Sequence, residues 1–349
     1  MSLEDTNQHY ITKAYLDRFI HPDSTQAVLY PYRKGGNSCK PRGTKKLGSA
    51  INFYRQRENG VLNDNLDEAR KFSETLFFAS GKRTPSTLAQ CVFDDDFVPV
   101  EHDRLHLAAA AAFLFCGSPV QIHNTAMHLL LLDQMDAFNR LGSAEAAKRY
   151  RELFGEQAEE KLQADRQELL KGELFVDVGR ENWKQLGFTS FQMEADVIKL
   201  LLGMRLTIVN CHYKSFFLTS DNPVVRTFPT SYEKLDDEVW FPISHKRAVL
   251  WHRRSLPTKT GFGHAETRAI NRRVIKFAYK FIYSPLQDGW IETACRQETH
   301  DPLFGYYGSL EQVIAQAKPA IDQNNKPCGE IVDLIAAMKS GERHDVVGV

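Results

Sequence analysis

Phe216-Phe217-Leu218-Thr219-Ser220-Asp221-Asn222-Pro223 is the stretch that decides the fold class. Five residues of strand composition run into two short polar side chains and a proline, the pattern of a strand closed by a turn. The stretch stands where the sequence changes character. Downstream, Val239 to Ile243, Ala248 to Trp251 and Lys280 to Tyr283 share its β-branched and aromatic make-up. Among them, Glu266 to Ala278 is helical, with Ile270, Val274 and Phe277 on one face. Upstream the periodicity is helical over Leu66 to Phe78, Asp103 to Cys116, Val120 to Leu141 and Phe191 to Leu202. Gly117-Ser118-Pro119 separates two of these helices. Ser143 to Leu170 has many charges and few large apolar residues, and is expected as one long solvated helix supported by i,i+4 ion pairs such as one at Glu156. The first quarter mixes short elements: a helical Thr12 to Phe19, a strand over Ala27 to Tyr32 and an extended Ile51 to Tyr54. Helices gathered before strands predict an α+β fold with short N-terminal strands, a helical middle and a mainly antiparallel C-terminal sheet. The expected organisation is one α+β domain over 1–305, followed by a helical extension over 306–349 with a frayed end. Within that domain the helical region is expected over about 64–204 and the sheet over about 205–290.

The 349 residues suffice for a sizeable core. Lys+Arg and Asp+Glu are 44 each, which excludes a uniformly basic coat but not a local basic patch. No apolar run reaches the roughly 18 residues of a membrane span, and no apolar leader opens the chain. Cys39, Cys91, Cys116, Cys211, Cys295 and Cys328 form no CxxC pair. They read as reduced, mostly buried thiols of a cytoplasmic protein.

Several constellations could carry chemistry, and each has a plainer alternative. The opening segment, Asn7 to Phe19, sets His9, Tyr10, Lys13 and Tyr15 among apolar residues. His9 could be a base or metal ligand, Lys13 could share its face, and Tyr10 could stack on a base or sugar. Alternatively the segment docks the terminus by its aromatic rings. Asp221 and Asn222, at a strand end, could serve as ligand or base and as a substrate-orienting amide. Alternatively they satisfy local backbone groups in the turn. Burying an ionisable group is costly unless it is paired, so His9 is expected beside Asp221, directly or around an ion. One basic cluster joins Lys40, Arg42, Lys45, Lys46, Arg55 and Arg57 with Phe53 and Tyr54. A second joins Lys246-Arg247, Arg253-Arg254, Arg268, Arg272 and Arg273. Either could hold phosphates or be a solvated face. His102 and His106 have the i,i+4 spacing of a zinc motif, but Asp103 stands where its glutamate belongs, and two surface histidines in a first helical turn fit as well. Ser220-Asp221-Asn222 and Lys259-Thr260-Gly261 copy two β-lactamase boxes, but no upstream Ser-x-x-Lys supplies a nucleophile. There is no Walker A box and no G-x-G-x-x-G after a strand.

Taken in order, these segments resemble the bacterial domain-of-unknown-function family 4238. Its opening Gln-His-Tyr-x-x-x-x-Tyr-Leu-x-x-Phe box is matched by Gln8, His9, Tyr10, Tyr15, Leu16 and Phe19. Its Asn-Phe-Tyr segment is matched by Asn52, Phe53 and Tyr54, before a helix bearing glutamates. Its Thr-Ser-Asp-Asn-Pro-Val box is Thr219 to Val224. Phe241, Pro242, Ser244 and Val249-Leu250 follow, then Asn271 and Tyr283-Ser284. Where members often carry Arg-x-Pro, this chain has Gly117-Ser118-Pro119. The resemblance implies no activity, but it adds weight to His9, Asp221 and Asn222.

The leading expectation is a hydrolase acting on a phosphodiester or nucleotide, nuclease-like, in defence or stress response. His9, Asp221, Asn222 and Glu74 would be catalytic, and Lys13, Tyr10, Arg268 and Arg272 would hold substrate. A divalent metal ion is the one cofactor considered, with His9, Asp221 and Glu68 as ligands. Nucleic acid or a nucleotide would be the partner. The alternative is a non-catalytic binding or sensing module whose polar boxes are internal braces, with the central helices offered to a protein partner or a second copy.

Overall fold

A computed structural model of the chain describes residues 7–51, 53, 56–58, 61–63, 68, 70–71, 73, 77–78, 86–171, 189–227 and 238–300. It is an α+β protein. Two compact units emerge: Met1–Thr125 with Glu181–Leu303, and Ala126–Arg180 with Phe304–Val349. The boundaries fall after Thr125 and Arg180, inside the helical middle, and after Leu303, where one domain was expected over 1–305.

The first unit opens with strand β1 (Asn7–His9) and the four-residue helix α1 (Lys13–Leu16), which Thr12 caps by accepting the Tyr15 N–H at 3.1 Å. Strands β2 (Val28–Arg33), β3 (Arg42–Gly43) and β4 (Ser49–Ile51) follow, then the short hairpin of β5 (Gln56–Glu58) and β6 (Val61–Asn63). β1 pairs antiparallel with β4. Between β3 and β4 the chain turns at Gly48, at φ +60°, where a Cβ would meet the Ile11 side chain at 2.9 Å. Only glycine accepts both the backbone angle and the approach.

The helical part comprises α2 (Thr87–Phe93), α3 (Glu101–Cys116), α4 (Pro119–Leu141), α5 (Ala144–Phe154), α6 (Ala158–Lys171) and α7 (Glu194–Leu202). The expected single helix over 143–170 is instead α5 and α6. Gly155 interrupts it at φ +56°, a left-handed angle that no helix propagates. Ion pairs of i,i+4 spacing are present at other residues than Glu156, as Lys148 with Glu152 at 4.0 Å and Lys161 with Asp165 at 2.7 Å. Within the second unit the Tyr150 hydroxyl donates to Asp165 at 2.7 Å, and Arg166 lies 4.6 Å from the Phe138 ring centroid. No described helix is long and apolar enough to cross a membrane by itself.

The last third of the first unit holds β7 (Arg205–Cys211), β8 (Thr219–Ser220), β9 (Val225–Thr227), β10 (Glu238–Pro242), β11 (Arg247–His252) and β12 (Lys259–Phe262). Helix α8 (His264–Phe277), strand β13 (Phe281–Ser284) and helix α9 (Gly289–Gln297) complete it. Two sheets result, ordered β12-β7-β11-β10-β9 and β3-β2-β13-β8. All pairs are antiparallel except β12 with β7.

The larger sheet is covered on both faces, which explains its unbroken apolar strands. Successive side chains alternate. Val239, Phe241, Val249 and Trp251 join one core with Tyr15, Phe19 and α3, whereas Trp240, Ala248 and Leu250 join another with Ile270 and Val274 of α8. The expected strand over 216–220 is cut to its last two residues. Asn271 takes the place of a neighbouring strand: its Oδ1 accepts the Leu218 N–H at 2.9 Å and its Nδ2 donates to the Phe216 carbonyl at 2.8 Å. β7 and β12, which composition did not mark as strands, complete the sheet beside β11.

Candidate functional site

Three of the boxes that carry the resemblance meet in one buried junction of the first unit. Tyr15 is fully buried from α1, its hydroxyl 2.8 Å from Thr219 Oγ1 and donating to the Pro242 carbonyl at 2.7 Å. Its ring stacks on Phe241 at 5.7 Å. Burial raises the pKa of this phenol, so it stays neutral. Three boxes, the first more than 200 residues from the other two, are thus tied by one side chain.

Asp221 is buried, and both its oxygens face backbone donors. Oδ1 accepts the Tyr279 N–H at 2.7 Å, and Oδ2 accepts those of Lys280 and Phe281 at 2.7 and 2.8 Å. Beside it, Asn222 Nδ2 donates to the Phe277 carbonyl at 2.9 Å, and Ser220 Oγ closes the turn against the Asn222 backbone. The box therefore satisfies the backbone groups that α8 leaves exposed where it ends and passes into β13. Burial pushes the Asp221 carboxyl up to about 6, with the three N–H groups pulling the other way.

The neighbour this geometry gives Asp221 is Tyr10, not His9. Tyr10 hydrogen-bonds the Tyr283 hydroxyl, and the Asp221 charge helps burial to raise the pKa of both phenols. No hydrogen bond joins His9 to Asp221. In an extended segment adjacent side chains point to opposite sides, and His9 turns toward Lys45 and Lys13. Burial, with the Lys13 charge, lowers its pKa against a hydrogen bond that the ring donates to the Lys45 backbone carbonyl. The imidazole is therefore neutral near pH 7, and its buried Nε2 makes no hydrogen bond among the described residues.

The expected metal ligands do not assemble. Among the described residues no three His, Cys, Asp or Glu side chains converge on a common point. Glu68 is exposed, and Glu74 lies outside the described residues. The His102 and His106 rings meet at a tilt with centroids 4.2 Å apart, while Asp103 caps α3 by accepting the Val100 N–H and also accepts from Thr87.

Open space lies instead beside Lys13. A groove of about 760 Å³ is lined by Lys13, Lys40, Arg42, Lys45 and Lys46, with Asp17 as its one carboxylate among the described residues. Asp17 is committed: it pairs with Lys13 and accepts the Thr44 hydroxyl at 2.6 Å, which pins the turn presenting Lys45 and Lys46. Lys40, Arg42, Lys45 and Lys46 are exposed, with no ion-pair partner among the described residues. Arg55 lies outside those residues. The second basic cluster disperses. Arg247 donates to the Cys91 and Asp94 carbonyls, Lys246 to those of Tyr213 and Ser215, and Arg254 and Arg273 pair with Glu238. Only Arg268 and Arg272 remain together, in a pocket that shares no lining residue with the lysine groove. The four side chains expected to hold one substrate thus fall into three places: Lys13 in the groove, Tyr10 in the junction, and the two arginines apart.

Fold and site together define an α+β protein with a buried polar brace and, next to it, an open cationic groove. It belongs to the family described as Protein of unknown function (DUF4238), whose model matches residues 7–287. No curated protein and no solved structure matches the chain.

Proposed function

We propose that the protein binds the phosphodiester backbone of nucleic acid in the groove beside Lys13, as a binding module rather than through a metal centre. The observation that carries this reading is the imbalance of charge. Among the described residues, five cationic side chains line one open groove, and its single carboxylate, Asp17, is paired with one of them, Lys13, which leaves four unpaired. Such a row, in a chain of zero formal net charge, suits a ligand with repeated negative charge. The brace supports the same reading, because both Asp221 oxygens and Asn222 Nδ2 are directed at the protein's own backbone.

The test is fluorescence anisotropy with a labelled single-stranded oligonucleotide over a salt series. Binding should weaken as salt rises, and Lys45→Ala with Lys46→Ala should lower the slope of log K against log salt by about 1 for each lysine that neutralises a phosphate. Affinity that ignores both the salt and these substitutions would overturn the proposal. The neutral imidazole of His9 favours a second reading, hydrolysis with His9 as the base, which needs a substrate to reach its buried Nε2. Turnover of bis(p-nitrophenyl) phosphate that is lost in His9→Gln, with oligonucleotide affinity unchanged, would favour it.

A further inference from the structure

Helix α8 carries three arginines in close succession, and the fold treats them differently. Arg273 Nη1 donates to Glu238 at 3.0 Å. Arg268 and Arg272 line a groove of about 530 Å³ between α8 and α9, facing Trp290, Thr293 and Gln297 across Ile275. Arg268 lies over the Trp290 ring, its guanidinium carbon 4.8 Å from the centroid, and its Nε is shielded from solvent with no hydrogen bond among the described residues. Neither guanidinium forms an ion pair among the described residues. The acid at the rim, Glu298, accepts the His300 N–H instead.

Two like charges one helical turn apart repel, and a helix tolerates them best when an anion joins them. Trp290 holds the Arg268 plane in place, so one of the two forks is pre-set. We infer that the groove between α8 and α9 is a binding site for a small organic phosphate monoester. A monoester dianion offers three terminal oxygens to two guanidiniums, whereas a single carboxylate fills only one fork. The groove has the size of a small-molecule pocket, larger than phosphate needs, so an organic portion would lie along Ile275 and Ala294. Thr293 and Gln297, on one face of α9 with Trp290, would hydrogen-bond its polar edge. The site is independent of the lysine groove.

Calorimetric titration of the whole protein with phenyl phosphate, in low chloride, tests the inference. Arg272 is exposed, and Arg272→Gln should fold normally and weaken binding at least tenfold. Arg268→Gln, checked by circular dichroism, should do the same. Benzoate should bind at least tenfold more weakly than phenyl phosphate, and Lys45→Ala with Lys46→Ala should leave the affinity for phenyl phosphate unchanged. No binding at millimolar phenyl phosphate, equal affinity for benzoate, or affinity indifferent to both arginine substitutions would overturn it.

Discussion

Replacing Asp221 by asparagine separates a brace from a catalytic carboxylate, and its pH dependence has a sign that can be worked out. The carboxyl ordinarily titrates at 3.8, and in the fold burial moves it to about 6. The folded protein therefore holds this proton more tightly than the unfolded chain does. Between those two values stability falls as pH rises, and above them it is level. A shift of about two pH units corresponds to about 3 kcal/mol. Asparagine does not titrate. Its amide oxygen can keep the Lys280 and Phe281 N–H groups, but its NH₂ then faces the Tyr279 N–H, a conflict costing about 1–3 kcal/mol. Urea unfolding of both proteins, followed by tryptophan fluorescence from pH 4 to pH 8, measures the difference directly. Wild type should exceed Asp221→Asn at every pH, by about 2 kcal/mol more at pH 4 than at pH 7.5. A difference that is flat or grows toward high pH would mean that the three N–H bonds outweigh burial. A variant as stable as wild type throughout would refute the brace.

Tyr15→Phe leaves buried Thr219 and the Pro242 carbonyl without a shared partner and should lower unfolding stability by about 1–3 kcal/mol, read from denaturant midpoints. Gly117 has an ordinary helical φ of −85°, so its backbone would accept alanine, but a Cβ there falls inside the contact distance of the Arg70 guanidinium. That guanidinium lies 4.0 Å from the Phe113 centroid and 4.9 Å from that of Phe191. Gly117→Ala should therefore cost about 1–3 kcal/mol in urea unfolding, and clearly less in an Arg70→Met background. Burial pushes the Cys91, Cys116 and Cys295 thiols up to about 12, so iodoacetamide at pH 8 should leave these three unlabelled in the native protein, as peptide mass mapping would show.

The Gly117 contact also bears on the departure from the family's Arg-x-Pro pattern. The side-chain space at position 117 is filled by an arginine, but it is Arg70, far away in sequence. Spacing along the chain has no access to such a contact, because it depends on where a distant segment delivers its side chain.

Periodicity made most of the long elements visible: α3, α4, α8, β10, β11 and β13 all lie where apolar spacing placed them. It failed where a tertiary partner overrode local composition. Phe216 to Leu218 has strand character, yet Asn271 supplies its hydrogen bonds. Arg205–Cys211 went unrecognised although Thr207-Ile208-Val209 is a β-branched run, and Lys259–Phe262 has too little apolar surface to stand out.

The candidate site divides in the same way. Sequence alone singled out Asp221 and Asn222 as polar groups at a strand end, and Tyr15, Thr219 and Asn271 through the family boxes, because polar groups among apolar neighbours must find partners. It could not choose those partners. A buried carboxylate is equally satisfied by an imidazole, a metal ion or three backbone N–H groups, and only the fold brings residues 279–281 to Asp221 and turns His9 toward Lys13 and Lys45. The family, the α+β class and the presence of a basic patch were determined by residue type and order. Which charges gather into a groove and which are cancelled was decided by the tertiary structure, because electrostatic balance depends on distance in space rather than along the chain.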